Sequence, residues 1–116
     1  MEFSFDFLQA IHQKEDPTKN FFVSPLSLHI ALGMLLNGAD GVTKDEIKEV
    51  LGFTNQDLTE INLIYKELIQ KLPTLDSKVT NTTANSVWHD KDFTVTASFL
   101  ETLKTSFNAG IYAEDF

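Results

Sequence analysis

The chain contains no cysteine. Disulfides, thiolate metal sites and a cysteine nucleophile are therefore excluded, while the redox compartment stays open. Arginine is also absent: all nine cations are lysines. That removes the planar, bidentate anchor commonly used for phosphate and carboxylate groups. With a net charge of −8, the chain lacks the clustered positive charge that would hold nucleic acid or an anionic membrane. Proline and glycine number only three and five, and no internal repeat, low-complexity tract or flexible linker interrupts the sequence. The longest apolar-rich stretch, residues 26–36, is too short to span a bilayer. The first residues are amphipathic and do not form a basic start followed by an apolar run, so no signal peptide is read there.

What is present is a globular composition: 116 residues with 42% hydrophobic side chains and a mean hydropathy of −0.11. This suits one small domain, able to bury about two thirds of its unfolded surface. Phe3, Phe7, Leu8 and Ile11 recur at helical spacing and predict a first helix over residues 4–14. Phe21-Phe22-Val23 is short and β-prone, and predicts a brief strand. Ser24-Pro25 then opens a second helix, with Ser24 as the cap and Pro25 where its missing N–H costs nothing. Leu26, Leu28, Ile30, Ala31, Leu32, Met34, Leu35 and Leu36 leave that helix no exposed face, so it must be covered on every side. Gly33 in its middle costs about 1 kcal/mol against alanine, which implies that something packs closely there. Asn37-Gly38 ends the helix.

Thr43 and Glu46 have the spacing of a capping box, with Val42 and Ile47 placed for a hydrophobic staple. They predict a third helix, with Ile47, Val50 and Leu51 as its buried stripe, that Gly52 stops. Leu58, Ile61, Ile64, Tyr65, Leu68 and Leu72 predict a fourth, closed by Pro73. Residues 78–89, KVTNTTANSVWH, are rich in β-branched side chains and predict one long strand, followed by a turn at Asp90-Lys91-Asp92. Phe99, Leu100, Leu103 and Phe107 predict a fifth helix capped by Thr96, and Ile111-Tyr112-Ala113 a second short strand. The expected fold class is α+β. Two strands make a poor sheet alone, so a further layer is expected from outside these residues.

The chemistry-bearing residues do not assemble into a catalytic motif. His12, His29 and His89 are far apart, with no second ligand at metal spacing, and each reads as a surface or satisfied core histidine. The run from Asp40 to Glu46 lacks the glycine a calcium loop needs at its sixth position. Ser27 and His29 are two apart on a helix and point to different faces, so they form no nucleophile pair. No Walker or dinucleotide fingerprint is present. The expectation is no enzyme, no metal and no cofactor. Asn81-Thr82-Thr83 matches a glycosylation sequon but falls in the expected strand. Asn81, Thr83 and Asn85 would share one face of that strand, and such polar groups need partners where they are buried. Ser24 and Ser27 are candidate partners for Asn85.

Taken in order, these segments resemble a family. Asn20-Phe21-Phe22-Val23-Ser24-Pro25-Leu26-Ser27-Leu28 resembles the serpin pattern Asn-x-Phe-x-Ser-Pro-x-Ser-Ile. It is followed, as in that family, by an apolar helix, Gly38-Ala39, a short Thr-capped helix and Leu51-Gly52-Phe53. Ala84-Asn85-Ser86-Val87-Trp88 resembles the family's Ala-Asn-x-x-Trp strand. Phe93 through Phe99-Leu100 is similar to its next turn and helix, and Ala113-Glu114-Asp115-Phe116 to its Val-Asp-Phe strand ending.

The resemblance implies helices A to E of a serpin domain packed behind the first strands of a large central sheet, with the second helix beneath that sheet. It implies that Ser24, Ser27 and Asn85 lie in the shutter, the polar region where the central strands part. It further implies inhibition of a target serine or cysteine protease through a reactive loop that inserts into the sheet. These residues correspond to about the first third of a member. The loop and the rest of the fold are therefore expected outside them, and this segment alone is not expected to inhibit. Heparin binding is not expected, because the fourth helix carries only Lys66 and Lys71 among Glu60 and Glu67. By resemblance, the location is extracellular or at the cell surface. The other reading is a stand-alone helical module, not inhibitory, that binds a partner protein through its apolar helix and polar strand.

Overall fold

The computed structural model describes residues 2–20, 22–92 and 94–115. It contains five α-helices, a short 3-10 turn and two strands. The first helix, α1 (Glu2–Lys14), begins slightly before the expected start; an acid lies in its first turn and Lys14 in its last, as the helix dipole favours. Phe3, Phe7 and Ile11 form its half-buried face, while Phe5 and Leu8 remain exposed. Residues 22–23 belong to no strand, and Phe21, the first residue of that expected strand, lies outside the described residues.

The apolar helix α2 (Pro25–Leu36) is the hub. Ser24 caps it as expected, its hydroxyl accepting the Ser27 N–H at 3.2 Å. Against α2 pack α1, α3 (Gly41–Leu51), α4 (Leu58–Lys71) and α5 (Ala97–Phe107). The core lies between α2, α4 and α5: Ile30, Met34 and Leu36 meet Ile61 and Tyr65, with Leu103, Phe107 and Ala109 behind. Yet the helix is not covered all round. Ser27, Ala31 and Leu35, one turn apart along a single row, are exposed, and Leu35 retains 56% of its surface.

Helix α3 begins two residues before the expected cap. Its N-cap is Asp40, whose side chain accepts the Gly41 N–H. Thr43 therefore sits inside the first turn and caps nothing, and Val42, 72% exposed, forms no staple. The aspartate wins because it lies at the point where the chain leaves α2 in extended conformation. Gly52 closes α3 in the left-handed conformation, φ +85°, as expected. Helix α4 is capped by Asp57 and runs into a 3-10 turn, Leu72–Thr74, that holds Pro73.

The long strand is the main departure. Only β1 (Ser86–Asp90) is paired, and residues 78–85 are irregular. β1 runs parallel to β2 (Gly110–Glu114), with Ser86 opposite Gly110 and Asp90 opposite Glu114. Helix α5 supplies the crossover that parallel strands require, starting after Thr96 and ending at Asn108 in left-handed geometry. β2 is five residues long, so the ladder begins at the Asn85 carbonyl, and among the described residues those before Asn85 find no backbone opposite them. Their β-branched composition fits a strand, but pairing decides whether one forms.

Candidate functional site

Two places gather polar side chains around α2. The first is the start of the helix, where two of the three residues the sequence singles out lie; the third, Asn85, precedes β1. Ser24 is half-buried and engaged as the cap of α2, and Ser27 gives its backbone N–H to that cap while its side chain faces out. Asn85 is half-buried immediately before β1, where its backbone carbonyl accepts the Gly110 N–H at 2.9 Å and so begins the parallel ladder. Ser24 and Ser27 are thus brought together. Among the described residues, no hydrogen bond joins the Asn85 side chain to either serine. Asn81 and Thr83 are exposed and do not form a buried polar face with Asn85.

The ribbon itself is unfinished. Trp88 and Tyr112 lie directly opposite in register and stack with ring centroids 4.6 Å apart, yet about half of each side chain's surface is open. Within the described residues the sheet has two strands, so each keeps one edge of free N–H and C=O groups.

The second place is the interior side of α2. His29 reaches Leu51 at the end of α3 through Nε2, 3.2 Å from the carbonyl oxygen, and Tyr65 of α4 through Nδ1, 2.7 Å from Oη. A carbonyl only accepts, so Nε2 carries the proton and Nδ1 accepts from the tyrosine hydroxyl. That hydroxyl also lies 3.1 Å from the His29 carbonyl. Burial lowers the His29 pKa below its ordinary value, opposed in part by the Leu51 carbonyl, and burial raises that of Tyr65. Phe3 and Phe53 meet the imidazole edge-on at 5.0 and 5.7 Å. His29 is therefore a satisfied, half-buried histidine that ties three helices together.

About two turns further on, Asn37 and Asn62 exchange both amide hydrogen bonds, at 2.9 and 2.8 Å, and Asn37 also donates to the Gly33 carbonyl. This pair joins the end of α2 to α4. The sequence signal for it is Asn62, a poor helix former set beside Ile61 on the buried side of α4. No group of three or more His, Asp or Glu side chains at metal-holding distance occurs among the described residues, and no described helix is long and apolar enough to cross a membrane. The arrangement supplies hydrogen bonding, packing and open sheet edges.

Comparison with known proteins agrees with this geometry. The model of the family described as serpin (serine protease inhibitor) matches residues 1–116. Mouse thyroxine-binding globulin is 31% identical over 116 residues, which cover 96% of this chain and 28% of that protein. Rat alpha-1-antiproteinase is 30% identical over 118 residues, covering 99% of this chain and 28% of that protein. The crystal structure of human thyroxine-binding globulin in complex with thyroxine superposes with a TM-score of 0.85 at 32% identity, covering 98% of this chain and 31% of that one. The chain thus spans less than a third of the length of these relatives. Its α+β architecture is that of part of a serpin domain. This chain belongs to the serpin family.

Proposed function

We propose that the chain is the N-terminal part of a serpin-type inhibitor of serine or cysteine proteases, and that its role is to provide the bed on which a central sheet opens. Two observations carry this reading: the unfinished pairing of β1 and β2, and an α2 row, Ser27, Ala31 and Leu35, that nothing in the described residues covers. A parallel ribbon with free edges accepts further strands, and an apolar row of this kind needs a layer above it. In the complete protein those strands come from the rest of the domain. A reactive loop outside this chain is attacked by the protease nucleophile. The scissile bond breaks, the acyl-enzyme forms and the loop enters the sheet as an added strand. Ser24, Ser27 and Asn85 then serve as shutter residues, with the Asn85 amide finding its partners only once the sheet is complete.

The test is to isolate the protein from its native source, measure its intact mass, and incubate it with a panel of serine and cysteine proteases. The expected result is a mass well above 13.1 kDa and, with at least one protease, a covalent complex that survives denaturing electrophoresis. A protein that every protease cleaves without forming such a complex is not an inhibitor of this kind.

The uncovered row also fits the other reading, a stand-alone module that seats a partner protein. A native mass of 13.1 kDa together with a co-purifying partner would favour it.

A further inference from the structure

Between α1, α2, the end of α3 and α4 lies a half-open cavity of about 950 Å³ that neither the sheet nor the shutter uses. Its volume is that of a site for a small organic molecule. Its walls are apolar: Phe3 and Phe7 from α1, Leu32 from α2, Phe53 just past α3, and Ile64 and Leu68 from α4. Its polar side chains divide into two kinds. His29 and Tyr65, on the inner side, satisfy one another and the Leu51 carbonyl, so their hydrogen-bonding groups are engaged within the protein. The remaining ionisable side chains of the lining are Glu2 and Asp6, one turn apart on α1, and Glu49 in the last turn of α3. Among the described residues no lysine lines the cavity, although the chain has nine.

We propose that this cavity binds an apolar amine: an aromatic or aliphatic body lodged among the phenylalanines and leucines, with one positive charge held at the acidic rim. The chemistry is selective in sign. The lining offers a cation the carboxylates of Glu2, Asp6 and Glu49 and the rings of Phe3, Phe7 and Phe53, whose π-electrons attract it further. A carboxylate of the same chain length would face those same three acids with no cation to offset them. The engaged His29–Tyr65 pair offers such an anion no free donor.

Calorimetric titration of the complete protein separates the possibilities, with dodecylammonium, dodecanoate and dodecanol as probes, each kept below its aggregation threshold. The expected result is that the ammonium binds at least about tenfold more tightly than the carboxylate, with the alcohol between them. Neutralising the rim with Glu2→Gln, Asp6→Asn and Glu49→Gln should remove that preference, since all three side chains are exposed and the fold does not need their charge. Leu32→Trp, which fills the cavity, should abolish binding of all three probes. If Leu32→Trp lowers the thermal midpoint, the rim variant alone decides the matter. Equal binding of ammonium and carboxylate, a preference that survives rim neutralisation, or no binding of the ammonium would each overturn the proposal.

Discussion

The hydroxyl edge of the Tyr65 ring packs directly against Gly33: a Cβ built on that glycine would meet Cε2 and Cζ and come within 2.8 Å of Oη. The mid-helix glycine, unfavourable for α2 by itself, is what lets α4 approach and places the hydroxyl on His29. Gly33→Ala is therefore expected to destabilise the complete protein by about 1–3 kcal/mol through overpacking, outweighing the roughly 1 kcal/mol that alanine contributes to an isolated helix. The urea midpoint measures it. A midpoint that rises would mean that the ring moves aside freely.

Tyr65→Phe keeps the ring and removes the hydroxyl. His29 Nδ1 is then left without its donor inside a half-buried site. The expected loss is about 1–3 kcal/mol, the cost of an unsatisfied buried acceptor. Chemical denaturation of the two proteins side by side checks it, and equal midpoints would mean that water replaces the hydroxyl.

The same histidine makes stability depend on pH. Its folded pKa is held below the ordinary 6.5 by burial. Between the folded value and about 6.5, the unfolded chain binds more protons than the folded one, so stability rises with pH across that window. The contribution is complete above about 6.5 and is lost as pH falls through the folded value. The Leu51 carbonyl, which holds the Nε2 proton, offsets part of this shift. His29→Gln should flatten this part of the profile. Identical profiles for the two proteins between about pH 5 and 7 would exclude His29 as the source.

Asn85→Ala tests the shutter. Among the described residues the amide has no side-chain hydrogen bond, so any cost must arise from partners in the completed sheet. The expected loss in the complete protein is about 1–3 kcal/mol. Asn81→Ala, on the exposed irregular segment, should change little and serves as the comparison. An unchanged midpoint for Asn85→Ala would remove this residue from the shutter.

Expressed alone, the 116 residues should be molten, oligomeric or held by another chain. Phe22 at 94%, Leu75 at 72%, Leu35 at 56% and Trp88 at 52% exposure leave more apolar surface than a stable monomer normally carries. Calorimetry on a dilute sample with sedimentation analysis checks this; a sharp cooperative melt from a monomer would contradict it.

Much of the fold was legible because its signals are local. Ser24-Pro25, the glycine at 52 and the apolar periods of α2, α4 and α5 act within a turn or two of chain, and each element lies where its pattern places it. Serpin membership was legible too, since it rests on short motifs read in order. Where two local signals competed, as with Asp40 and Thr43 at the start of α3, spacing alone chose the wrong one. The polar site was read only in part. Ser24 as a cap is a matter of three residues, whereas the His29–Tyr65 bond spans 36 positions and the Asn37–Asn62 exchange 25, and neither leaves a spacing to read.

By itself, then, the sequence determined which segments are helical, where they stop, that most of α2 is covered, and the family to which the chain belongs. Tertiary structure alone decided how far β1 extends, which row of α2 stays bare, why Gly33 is a glycine, and that three acids share one apolar cavity. Helix hydrogen bonds close within four residues and are encoded there. Strand pairing, ring packing and cavity walls depend on chain that is distant in sequence, and residues 78–84, with no strand opposite them among the described residues, show what β-prone side chains do when that partner is missing.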